Sequence, residues 1–177
     1  MTVGFALALV LVLITLGRDG RWLPLYGVLC ALTAASSGSG IMAVLVVLAL
    51  LLFNSGAWIG LRGFSAARTS THARSAEAIL PVVATLLMQF VLALSGADLG
   101  LVLTLGVGLV VAGLCSAACG APLAQFCGLL KAADGILMMA CLLGSWGLFV
   151  TGIALWSVMT VLGVTLLPRL AWRKVEE

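Results

Sequence analysis

The sequence predicts an all-α polytopic membrane protein of seven transmembrane helices, N-terminus outside and C-terminus cytoplasmic, and three observations predict it. Of 177 residues, 63% are hydrophobic and only 8% charged, with a mean hydropathy of +1.29; a soluble domain carries about a quarter charged residues. The apolar residues fall in runs of roughly bilayer length without strand-like alternation, so the backbone satisfies itself in helices rather than in a barrel. The basic residues collect on alternate connections between those runs.

The first run, Thr2–Gly17, resembles a secretion signal in length. It lacks a basic leader, and Arg18-Asp19-Gly20-Arg21 stands where small cleavage-site residues belong, so it reads as a retained helix. The second, Leu23–Ser37, is the weakest, because the stretch Ala34 to Gly40 dilutes its end with Ser and Gly. The third is Ile41–Leu61, followed by a basic loop, 62–78, with the chain's one histidine, His72, between Arg68 and Arg74. Ile79–Leu94 and Leu99–Ala118 come next, the latter with Gly106, Gly108 and Gly113, small residues that let membrane helices approach closely. Leu123–Leu143 and Gly147–Leu167 complete the set. The chain thus divides into a three-helix segment (1–61), the loop (62–78), a four-helix segment (79–168) and a tail (169–177).

With seven spans, the connections after the first and third helices and the C-terminal tail share one side. That side holds Arg18, Arg21, Arg62, Arg68, Arg74, Arg169, Arg173 and Lys174, while the opposite side carries only Asp98. Cytoplasmic loops are the basic ones, which sets the orientation. The same rule favours reading the His72 loop as a solvated, topology-fixing segment over a pH-sensing or lipid-binding one.

No nucleophile–base pair, phosphate-binding loop or metal cluster is legible, so no catalytic residue, cofactor or metal is expected. The five cysteines (Cys30, Cys115, Cys119, Cys127 and Cys141) sit in apolar runs and read as small packing residues. The chemistry lies in the polar residues inside the spans: Lys131 and Asp134 in the sixth, Asn54 in the third, Gln89 in the fourth, Thr151 and Ser157 in the seventh. Asp134 falls ~16 Å into its helix, close to the midplane of a ~30 Å core, where ionisable groups are costly and functional by default. Lys131, three residues before it, shares its face. Two readings stand evenly: a proton relay, or a mutually neutralising structural pair with Asn54 and Gln89 as interhelical hydrogen-bond glue.

The stretch Ala121 to Ile136, with Gln125, Gly128 and Gly135 in place, resembles the E-component family of hydrogenase-4-type, formate-hydrogenlyase-like complexes. The last three helices of that family are similar to the K subunit of respiratory complex I and to the C subunit of Mrp antiporters. The family pattern is a Gln, a Gly three residues on, an apolar stretch and Glu-Asn-Gly. Its Glu falls on Ala133 and its Asn on Asp134; a third-helix lysine falls near Asn54, and two acids of the last helix fall on Thr151 and Ser157. Each charged group is replaced by a neutral one, and Asp134 stands one residue, about 100° of helix, from the family's acid. The resemblance implies an accessory, non-catalytic membrane-arm subunit in a bacterial or archaeal plasma membrane. Its partners would be antiporter-like and other membrane-arm subunits within the lipid bilayer, with no cofactor and no nucleic acid. Either Lys131 and Asp134 form a rearranged relay, or the chain bridges antiporter-like subunits with at most a partial proton path. The other class open to it is a stand-alone small transporter or an assembly factor using the same pair.

Overall fold

A computed structural model of the chain describes residues 23–38, 40–64, 83, 101–119 and 122–170, and these are helical apart from short turns, with no strand among them. Five helices result: α1 (Leu23–Ser37), α2 (Gly40–Leu61), α3 (Leu101–Cys119), α4 (Pro122–Leu143) and α5 (Trp146–Leu170). They coincide within a few residues with the second, third, fifth, sixth and seventh expected spans. α2, α4 and α5 are long and apolar enough to cross a membrane. The expected first span, nearly all of the fourth with Gln89, the His72 part of the loop and the last tail residues lie outside the described residues.

α1 is short for physical reasons that the sequence displays. Its 15 residues extend ~22 Å, less than a hydrocarbon core. Gly38 closes it with an N–H to the Ala34 carbonyl at 2.8 Å, and Gly40 opens α2 with φ +71°, which L-residues rarely adopt. The α4–α5 turn is equally local. Gly144 takes φ +61° past the end of α4, and the Ser145 N–H reaches the Ala140 carbonyl at 3.0 Å, a Schellman-type closure. Ser145 then accepts the Leu148 N–H on its hydroxyl at 3.4 Å, capping α5.

α4 is the hub of the bundle and packs against all four other helices. Its spanning window is 67% buried against 17% for α5, which runs along the outside. Helices on both sides of the basic loop therefore meet directly, α1 and α2 closing on α4, and α2 also on α5.

Glycine sets the closest approach. A Cβ on Gly113 would lie 2.6 Å from the Ala132 nitrogen and the Gly128 carbonyl oxygen, and one on Gly135 3.0 Å from the Gly106 oxygen. Gly106 and Gly113 of α3 thus face Gly135 and Gly128 of α4 in an antiparallel seam whose members are seven residues apart on each helix. In lipid, where apolar burial drives no association, such backbone contact supplies the van der Waals attraction. The small-residue reading of Gly106 and Gly113 holds, and the motif glycines Gly128 and Gly135 turn out to be their counterparts.

A side chain at Gly113 must push backbone aside. Gly113→Val is expected to destabilise the bundle by about 1–3 kcal/mol, read as a lower thermal midpoint in detergent.

Candidate functional site

The site forms where α2, α4 and α5 meet at mid-height. Asp134 is fully buried, and its two carboxylate oxygens accept hydrogen bonds from two different helices. The Trp156 indole Nε1–H of α5 donates to Oδ1 at 2.9 Å, and the Asn54 amide Nδ2–H of α2 donates to Oδ2 at 3.0 Å. Asn54 uses its second amide hydrogen on the Leu50 carbonyl at 2.9 Å, which fixes the amide's orientation. Phe53 stacks on the Trp156 ring with centroids 5.2 Å apart, holding the indole in its donating position. Among the described residues, Asn54 Oδ1 is buried without a hydrogen-bond partner.

α1 completes the wall. A Cβ at Gly27 would stand 2.6 Å from Asn54 Cβ and 3.0 Å from its Nδ2, so the missing side chain leaves the room in which Asn54 reaches Asp134. One helical position before it, Tyr26 is fully buried and donates its hydroxyl to the Lys131 carbonyl at 3.2 Å. The Lys131 ammonium lies 5.9 Å from the Tyr26 ring centroid, at the outer reach of a cation–π contact. Lys131 itself is 1% exposed.

The structure brings Asn54, Lys131 and Asp134 into one buried region and leaves two candidates out of it. Thr151 and Ser157 are exposed on α5 and turn their hydroxyls back to the Gly147 and Ile153 carbonyls, at 2.8 and 2.9 Å. This is the usual way hydroxyls satisfy themselves on an apolar helix. Gln125 is exposed, Ala133 is buried in the core, and Gly128 and Gly135 serve the α3 seam.

Sequence reasoning passed over Tyr26, Gly27 and Trp156. Trp156 carried a usable signal: an indole in mid-span, away from either interface, brings an N–H that lipid cannot satisfy. Tyr26, the only tyrosine in the chain, lies in the first turn of its span, where an interfacial aromatic is ordinary, and carried no such signal. Gly27 carried none, since nothing local marks which glycine faces an amide on another helix. Among the described residues no group of His, Cys, Asp or Glu is arranged to hold a metal.

Compared with known protein families, curated proteins and solved structures, the chain matches none.

A carboxylate shared by two donors makes a specific energetic prediction. Asn54→Ala and Trp156→Phe should each cost about 1 kcal/mol of stability, in the range of interhelical hydrogen bonds in membranes. In an Asp134→Ala background the same changes should cost clearly less, because the acceptor is already gone. Unfolding in detergent across the double-mutant cycle measures this, and additive losses would contradict it.

Proposed function

We propose that this chain is a small accessory subunit of a complex-I-related, hydrogenase-4-like membrane assembly. In this reading it sits in a bacterial or archaeal plasma membrane, bridges antiporter-like subunits and acts mainly as a helical spacer. The observation that carries the reading is how Asp134 is used: both oxygens are closed by neutral donors from α2 and α5. Thr151 and Ser157, at the places of the family's last acids, point outward and bond their own helix. A continuous line of protonatable stations through these residues is therefore not what the geometry favours. The outer face of α5, with Val150, Val158, Val161 and Val164 exposed, offers an apolar surface for neighbouring helices.

Helix directions are those an alternating seven-span chain would have. α1 runs with α4, Tyr26 meeting Lys131 and Ala34 meeting Cys141. α2, α3 and α5 run against α4, as the paired contacts Gly27–Asn54 with Gly38–Ala43 (α2 against α1), Gly106–Met139 with Gly113–Ala132, and Gly152–Leu137 with Gly163–Phe126 require. These are the directions of the second, third, fifth, sixth and seventh helices of a seven-span chain.

A stand-alone transporter is the second reading, and the orphan acceptor Asn54 Oδ1 favours it, because a buried unpaired oxygen can take a transported proton carrier or water.

Purification in mild detergent separates the two. The subunit reading expects co-purification with large antiporter-like subunits, identified by peptide mass. A monodisperse protein that transports an ion by itself in liposomes would overturn it. Within an assembly, Asp134→Asn should leave the subunits together and coupled ion pumping little changed; loss of pumping with assembly intact would restore the relay.

A further inference from the structure

The strongest unassigned feature is a cleft of about 820 Å³ between the C-terminal halves of α2 and α5, floored by Phe126 and Leu130 of α4. We propose that it binds one anionic phospholipid, an acyl chain lying in the cleft and the phosphate held at Arg62 and Arg169.

Three observations carry this. The volume falls within the roughly 300–1,000 Å³ of small-molecule sites, and the walls are almost wholly apolar, with Phe53 and Trp156 among them. On the α2 wall, a Cβ added at Gly56 or Gly60 would meet nothing within 4 Å. These two glycines, unlike Gly113 or Gly135, do not admit a neighbouring helix of the described chain; they widen an open groove. Among the described residues the charge is one-sided at the end where the cleft reaches the helix termini. Leu61 and Phe64 line it on either side of Arg62, and Pro168 lines it immediately before Arg169.

Both arginines are exposed, and the one carboxylate among the described residues is Asp134, buried and committed to Asn54 and Trp156. Trp58, exposed one turn before Arg62, stands where interfacial aromatics mark headgroup level. Guanidinium groups match phosphate geometry, and basic pockets between membrane helices take anionic headgroups. An apolar slot whose end residues Leu61, Phe64 and Pro168 adjoin two exposed arginines is complementary to a phospholipid: chain inside, phosphate at the rim. The lipid site stands whether or not the chain belongs to a larger assembly.

The test uses the full chain in nanodiscs of equal phosphatidylglycerol and phosphatidylcholine, with retained lipid read by native mass spectrometry. The wild type should retain phosphatidylglycerol on the order of tenfold over phosphatidylcholine. Arg62→Gln with Arg169→Gln should bring that ratio close to one while lipid is still retained. Gly56→Leu with Gly60→Leu, which fill the groove without meeting a neighbour, should lower retention of both lipids. Equal retention by the wild type, or a preference untouched by the arginine changes, overturns the proposal. So does a benzophenone side chain at position 60 that cross-links to a second copy or to another segment of this chain, since a helix would then occupy the cleft.

Discussion

Everything at the centre of this bundle depends on satisfying one carboxyl group away from water. A carboxyl group at mid-membrane depth is costly when its oxygens lack donors, and the structure supplies two, one from the next helix and one from a helix far back in the chain. Asn54 is 80 residues away and Trp156 is 22 away. Their convergence sets the rotation of α2 and α5 about α4, because turning either helix by one residue would carry its donor off the acid. Much of the remaining architecture serves that convergence. Gly27 makes room for the Asn54 amide, Phe53 holds the indole plane, and Tyr26 anchors α1 on the Lys131 carbonyl.

The glycine seam between α3 and α4 plays a complementary part. Polar contacts specify how α1, α2 and α5 sit on α4, whereas α3 is held by shape. Its glycines meet α4 backbone to backbone, and their seven-residue spacing keeps them on one face along the length of the contact. The division is physically sensible. In a hydrocarbon solvent, apolar side chains confer little preference for one rotation over another, so specificity falls to hydrogen bonds and to close steric fit. The same glycine chemistry has the opposite effect on α2, where Gly56 and Gly60 face open space and create the cleft at the arginine-rich end.

Membrane class, helical character and the limits of the five described helices were legible in the sequence, because run length, composition and Gly/Ser punctuation are local properties that lipid reads directly. Asp134 and Lys131 were legible as the exceptional residues of the sixth span on the same grounds. Their use was not. The sequence suggested that the two pair with each other, being three apart on one helix. Folding also brings Asn54 and Trp156 to the acid and Tyr26 to the lysine. Thr151 and Ser157 were the candidates named on the last span and Trp156 was not; only the rotation of α5 turns the indole inward and the hydroxyls outward.

The sequence by itself therefore determined that this protein is a helical membrane protein, where its five described helices lie, and which residue is hardest to bury. Tertiary structure alone decided what surrounds that residue, which glycines close a seam and which open a cleft. The physical reason is that lipid imposes length and polarity on each helix separately. Rotation about the helix axis, by contrast, is set only when another helix presents a donor, a backbone or a gap.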